Sequence, residues 1–167
     1  MRKYDIIKSK LYTFDTIRYQ LNIWRFQDKK IVFTNGCFDI LHLGHIDYLV
    51  KAAELGDILI IGLNTDNSVK TLKGKNRPIN DEYSRAIILT SLSFVNAVIL
   101  FDEETPYNLI KFVQPDVLVK GNDYKTEDIA GHEIVRAKGG EVKTIDLLPD
   151  YSTTLIEEKI FKIKQKS

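Results

Sequence analysis

Two histidines three residues apart, His42 and His45, stand in the run Thr34-Asn35-Gly36-Cys37-Phe38-Asp39-Ile40-Leu41-His42-Leu43-Gly44-His45. A neutral imidazole donates a hydrogen bond to a phosphate oxygen without carrying a permanent charge, so a close pair suits negative charge that builds up on phosphate. The surroundings strengthen this reading. The apolar run Ile31-Val32-Phe33 leads into an Asn-Gly turn, and Ile46, Leu49, Val50 and Ala53 then recur at helical spacing up to Gly56. The histidines therefore fall where a strand's carboxyl end meets a helix's amino end. Unpaired N–H groups and the positive end of the helix dipole favour an anion there. The implied chemistry is on a nucleoside triphosphate. Metal ligation is a poorer account, because no cysteine or third histidine stands at a zinc-like spacing.

Other segments carry groups of the same kind. Ser152-Thr153-Thr154 precedes a helix with Leu155, Ile156, Ile160 and Ile163 on its apolar face. Thr154 and Glu157 have the spacing of a capping box, which accounts for one hydroxyl. Three hydroxyls at a helix amino end also suit a triphosphate tail. The run Val119-Lys120-Gly121-Asn122-Asp123-Tyr124 puts a lysine, a glycine and a carboxylate at a strand exit. The segment 70–78 reads as a charged loop, from which Lys73, Lys75 or Arg77 would close over phosphates. Arg85 lies one turn into a helical pattern, where it is either solvated or a phosphate contact. Cys37 has apolar neighbours and no base at a recognisable spacing, so it reads as packing. His132 sits in a polar Gly-His-Glu stretch and reads as surface.

These groups need a scaffold, and the hydrophobic pattern describes one. Five short runs, 30–34, 58–62, 97–101, 117–120 and 141–145, are nearly continuous in apolar residues, as strands buried on both faces are. Helical patterns over 45–55, 82–92, 106–113 and 126–138 separate them. The expected fold is α/β: a Rossmann-like, doubly wound sheet of five parallel strands. An extra helix precedes it, with Phe14, Ile17, Leu21 and Trp24 on one face behind Thr13 as cap. Such a sheet binds ligands outside the carboxyl ends of its strands, where strand order reverses. If the first and fourth of these strands are neighbours, segments 35–45 and 120–124 form one site.

The 167 residues suit a single domain, with 1–28 as a leading helical segment and 29–167 as the catalytic core. With 24 basic and 23 acidic residues, the net charge of +1 gives no footprint for nucleic acid. One cysteine excludes an internal disulfide and fits a reducing, cytoplasmic setting. No signal peptide and no membrane span are expected. The basic residues from Lys159 to Lys166 read as the solvated face of a last helix.

Taken together, the motifs resemble the cytidylyltransferase-like nucleotidyltransferases, a family with a His-x-Gly-His signature and a Ser/Thr-rich motif near the carboxyl end. Thr34 to Asp39, Leu72-Lys73-Gly74, Arg77-Pro78-Ile79-Asn80, Asp116 to Gly121, Gly140-Glu141-Val142 and Tyr151-Ser152-Thr153-Thr154 resemble the heptose 1-phosphate adenylyltransferases within it. The resemblance runs from about Phe14 to Ile163. It implies ATP and a sugar 1-phosphate, D-glycero-β-D-manno-heptose 1-phosphate, as substrates, with Mg²⁺ carried by ATP.

Carried over, His42, His45, Lys73, Lys75 and Arg85 are catalytic. Asn35, Gly36, Phe38, Lys120, Gly121, Asp123, Ser152, Thr153 and Thr154 hold the nucleotide, and Asp39 lies near the acceptor. Asn122 and Asp150 stand where the family usually has glycine. The arginine that glycerol-phosphate cytidylyltransferases carry before their Ser-Thr-Thr is replaced by Leu147-Leu148-Pro149-Asp150, which argues against CTP. A cytidylyltransferase for a small phosphorylated alcohol and a catalytically silent nucleotide sensor are the alternatives. The expected form is a stand-alone adenylyltransferase with no attached kinase domain, and a homodimer is compatible with the sequence.

Overall fold

Strands rich in isoleucine, valine and leucine on both faces must be covered on both faces, and the architecture follows from that. The computed structural model describes residues 2–165. The chain runs α1 (Lys3–Lys8), β1 (Leu11–Tyr12), α2 (Phe14–Phe26), β2 (Ile31–Gly36), α3 (Leu43–Ala53), β3 (Ile58–Asn64), α4 (Asp66–Lys73), α5 (Glu82–Thr90), β4 (Ala97–Phe101), α6 (Tyr107–Val113), β5 (Val117–Gly121), a 3₁₀ turn (Thr126–Asp128), α7 (His132–Ala137), β6 (Glu141–Ile145) and α8 (Thr153–Lys164). The sheet is parallel in the order β1-β4-β3-β2-β5-β6.

The two layers divide the core. On one face Ile17, Leu21 and Trp24 of α2 and Leu109, Ile110 and Val113 of α6 pack with Phe33, Ile60 and Ile99. On the other, Leu49 and Ala52 of α3 and Ala86 and Leu89 of α5 pack with Val32, Ile61 and Val98. Each fully buried aliphatic side chain contributes about 1.5–3 kcal/mol, so this double burial makes β2 and β3 the rigid centre. Strand order reverses between β2 and β5, which pair through Val32–Val117 and Phe33–Leu118. The exits of β2 and β5 therefore lie side by side, as the expected topology requires.

Four details correct the sequence reading. The sheet has six strands, not five: the two residues of β1 pair with Val98 and Ile99, and so short a run shows no period. The segment read as a loop from residue 70 is helical to Lys73 and stops at Gly74, whose φ is +97°. The helix expected over 126–138 is broken, because Gly131 takes φ +80° where a Cβ would come within 2.9 Å of Ile110. The cap of α8 is Ser152, whose hydroxyl accepts from the Leu155 N–H at 3.1 Å; Thr154 already lies in the first turn. Thr13 caps α2 as expected. Lys166, the last residue of the basic helix face, lies outside the described residues.

Because no residue of α8 is buried, its stability is local and depends on its cap. Ser152→Ala is expected to cost about 1 kcal/mol of helix stability, and Thr154→Ala only a few tenths. Hydrogen exchange of the α8 amides checks this: roughly fivefold faster exchange in the Ser152 variant is expected, and equal exchange in the two variants would return the cap to Thr154.

Candidate functional site

The carboxyl ends of β2 and β5 open into a cleft of about 750 Å³. His42 ends the turn after β2 and caps α3: its Nδ1 accepts from the His45 N–H at 3.4 Å. That bond assigns the proton to Nε2, which leaves a donor for the cleft. The two rings stack at 3.8 Å, and His45 meets the edge of Phe38 at 5.3 Å. Gly44 lies between them because a Cβ there would stand 3.0 Å from Cβ of Tyr151 and 3.2 Å from the His42 ring. Burial, then the neighbouring His42 and Lys73, push the His45 imidazole down to about 4; the Ile40 backbone pulls weakly the other way. Burial lowers His42 as well. Both rings are neutral at pH 7. Nδ1 of His45 is buried and has no partner in good hydrogen-bond geometry among the described residues.

The turn that carries the histidines is held by two charged side chains. Asp39 is 4% exposed and fully engaged. Its carboxylate accepts from the Ile79 and Asn80 N–H groups at 2.8 and 3.0 Å and from Arg77 Nη1 at 3.0 Å. Asn80 returns a bond to the Asp39 carbonyl at 2.8 Å. Arg85 is 1% exposed and donates to the carbonyls of Asn80 (3.0 Å) and Cys37 (2.6 Å) and to Asp66 (2.8 Å). A buried guanidinium with its donors so used is a brace for the backbone, and it does not line the cleft. Arg77, expected to close over phosphates, is already paired with Asp39 and Glu157.

The cleft has two walls. One presents His42, His45, Lys73, Ser152, Thr153 and Thr154; Asn35, Gly36, Phe38 and Asp39 border it at the β2 exit, and Lys120, Gly121 and Asp123 at the β5 exit. Lys120 donates to the Asn35 carbonyl at 3.3 Å and lies over the Tyr124 ring; burial lowers its amine, and Asp123 opposes this. The other wall, on the side where Pro106 starts α6 and Ile129 joins that helix's core, holds Glu104, Thr105, Asp128 and Ala130. Of the predicted residues, Lys75, Arg77 and Arg85 are absent from the lining. Cys37 does line the cleft, and burial pushes its thiol up, as befits packing more than attack.

Further lining residues that the sequence reading did not assign to the site include Tyr48, Asn64, Glu104, Asp128, Leu147 and Leu148. Asn64 ends β3 and Glu104 follows β4, so the rule that placed the histidines at a strand exit would have found them. Tyr48 offered only a helix-face aromatic; its hydroxyl meets Thr34 at 2.7 Å, a contact the sequence hides. Asp150 has φ +66°, which explains why glycine is the easier residue there; aspartate tolerates it better than most side chains do. Asn122 donates to Asp146 at 2.7 Å and ties the β5 exit to the β6 exit.

Known proteins bear on this geometry in three ways. A bifunctional protein HldE from Nitratiruptor sp. is 57% identical over 132 residues, 79% of this chain and 28% of that protein. The HldE of Campylobacter jejuni subsp. doylei is 54% identical over 140 residues, 84% of this chain and 30% of its own length. The chain thus spans under a third of these curated relatives. Among solved structures, the lipopolysaccharide core biosynthesis protein from Thermoplasma volcanium matches with TM-score 0.59 and 34% identity, over 74% of this chain and 99% of that one. The pantoate-beta-alanine ligase of Francisella tularensis, complexed with beta-gamma ATP and beta-alanine, shares the fold at TM-score 0.62 and 17% identity, over 94% of this chain and 79% of that one. The sequence profile described as cytidylyltransferase-like matches residues 33–159. Since that match starts inside β2, ends within α8 and takes in both strand exits of the cleft, the chain belongs to the cytidylyltransferase-like family.

Proposed function

We propose that the protein is an adenylyltransferase that joins AMP from ATP to a sugar 1-phosphate, D-glycero-β-D-manno-heptose 1-phosphate, giving ADP-heptose and pyrophosphate. The observation that carries the reading is one cleft wall with two neutral histidines, a lysine and a capped, hydroxylated helix start, all suited to phosphate. Its likeness to a lipopolysaccharide core biosynthesis protein supports a sugar nucleotide as product. The choice of heptose rests on the sequence motifs. A cytoplasmic setting goes with the nucleotide reaction and the single cysteine of this reading. Among the described residues no helix is long and apolar enough to cross a membrane.

An oxygen of the acceptor's phosphate attacks the α-phosphorus of ATP in line, the bond from that phosphorus to the bridging oxygen breaks, and pyrophosphate leaves. A phosphate monoester is already an anion at pH 7, so no general base is required. Catalysis is then positioning and charge stabilisation. His42 and His45 donate to phosphate oxygens as charge builds, while Lys73 and the α8 start, with Ser152, Thr153 and Thr154, hold the leaving pyrophosphate. Backbone groups of Asn35, Gly36 and Phe38 approach the α-phosphate. Lys120, Gly121 and Asp123 border the nucleoside, with Leu147 and Leu148 as apolar cover for the base. The acidic wall at Glu104 and Asp128 repels phosphate but accepts hydrogen bonds from hydroxyls, so the sugar sits there. Asp39 and Arg85 act through the backbone they hold, and Lys75 has no place in the step.

Mg²⁺ enters with ATP. Among the described residues no three His, Cys, Asp or Glu side chains cluster to hold a metal, and Mg²⁺ is usually held through substrate phosphates. A chelator is therefore expected to abolish turnover and leave the melting temperature of the nucleotide-free protein unchanged; a large drop in melting temperature would reveal a structural metal.

His45→Ala is expected to lower kcat by about 10²–10³, the loss typical of one preorganised donor to a developing charge, with the melting temperature retained. Near-normal turnover in the folded variant would remove His45 from the mechanism.

The reaction itself is tested with ATP and the heptose 1-phosphate, reading ADP-heptose by mass spectrometry together with pyrophosphate release. CTP with glycerol 3-phosphate is expected to be poor, because a site that hydrogen-bonds one base leaves polar groups unpaired against another. Formation of a CDP-alcohol without ADP-sugar would overturn the adenylyl assignment. ATP binding with no product from any pair would favour a silent sensor.

A further inference from the structure

The hydroxyls assigned to the pyrophosphate end sit on a weakly anchored helix. No residue of α8 is buried, and Ile160 and Phe161 are 48% and 62% exposed. Near the cleft, its first two turns are tied to the rest of the protein by a line of alternating charge. Asp39 is fixed by two backbone N–H groups, Arg77 Nη1 donates to Asp39 at 3.0 Å, and Arg77 Nη2 donates to Glu157 of α8. The Arg77 side chain is only 20% exposed and that of Glu157 34%, so water screens this pair less than a surface pair. The planar fork of arginine can serve two carboxylates at once, which a lysine point charge does poorly.

We propose that Glu157 is a positioning residue for nucleotide binding: through Arg77 it clasps the start of α8 to the Asp39 turn, so that Ser152, Thr153 and Thr154 face the histidines before ATP arrives. This rests on the nucleotidyltransferase reading above. A carboxylate five residues beyond the Ser152 cap is, taken alone, the wrong charge beside a triphosphate. Its field opposes the anion, and it occupies one arm of Arg77 that would otherwise be free to meet phosphate. Both direct effects predict that loss of the charge tightens ATP binding. The clasp predicts the opposite. Without it α8 is seated for a smaller fraction of the time, and the apparent dissociation constant rises as the inverse of that fraction. The sign of the change therefore separates positioning from local electrostatics.

The test is calorimetric titration of Mg-ATP, without acceptor, into the full chain and its Glu157→Gln variant, with hydrogen exchange on both. The expected result is a Kd for ATP raised about 5–10-fold in the variant, with faster exchange of the amides at 153–156 and a melting temperature within about 1 °C of the parent, as the helix contributes little to the core. Glu157→Asp, which keeps the charge on a shorter arm, is expected to fall between the two. An unchanged or lower Kd in Glu157→Gln overturns the clasp while leaving the nucleotide reading intact. Failure of the parent chain to bind ATP overturns both.

Discussion

The site depends on the burial of one carboxylate. Asp39 is 4% exposed, and an ion so placed is tolerable only when its oxygens are paired. The partners it finds come from 77–80, some forty residues on: two backbone N–H groups and Arg77. That single requirement folds the 74–81 segment down onto the turn that carries the histidines. It also positions Asn80, whose carbonyl then accepts from Arg85. Arg85 is the mirror case, a buried cation that fixes the Cys37 carbonyl and Asp66. Two buried charges of opposite sign, each satisfied largely by backbone, thus hold the turn between β2 and α3 without pairing with each other. Stripping either of its partners would leave an unpaired buried ion, costing several kcal/mol.

With the turn fixed, the doubly wound sheet does the rest. Because β2 and β5 are neighbours, their exits lie side by side, and the helices on the two faces bring different chemistry to the two walls. The face covered by α3 and α5 supplies His42, His45 and Lys73, together with the approach of Tyr151 to Gly44 that seats α8. The face covered by α6 and α7 supplies Glu104 and Asp128. In the proposed reaction a phosphate chain and a polyol would be sorted by these walls, since the acidic side repels the one and accepts hydrogen bonds from the other.

How much of this was legible differs from residue to residue. The five main strands were legible because burial on both faces leaves continuous apolar runs. The histidine junction was legible because a strand, a turn and a helix follow one another within a few residues. Arg85 was not: its burial needs partners from positions 37, 66 and 80, which only the fold brings together, so a charged side chain on an amphipathic helix read as a contact for ligand. The partners of the Asp39 carboxylate at 77–80 were hidden for the same reason. For the α8 cap, Ser152 and Thr154 are equally capable by residue type, and the choice fell to Ser152 through contacts remote in sequence: Tyr151 on Gly44, and Glu157 drawn to Arg77 and so unavailable for a capping box. The break before α7 turned on Gly131, whose left-handed conformation answers to Ile110 on another helix.

The electrostatics of the histidine pair carry the argument one step further. In the proposed reaction a cation at that position would also bind the ground-state triphosphate, and the part of its binding shared by ground and transition states does not raise kcat. The structure avoids this by desolvating the imidazoles beside Lys73, so that His45 is held near 4 and stays neutral in the free protein. In the proposed mechanism Lys73 supplies the permanent charge that gathers the substrate, and the histidines supply dipolar donors whose bonds strengthen as charge moves onto phosphate oxygens. A neutral donor in a partly dry site gains most from that movement, because no solvent has to reorganise around it. The depressed basicity of His45, the stacking on His42 and the cap at the start of α3 are thus parts of one device that keeps the donors uncharged, aimed and ready at the strand exit.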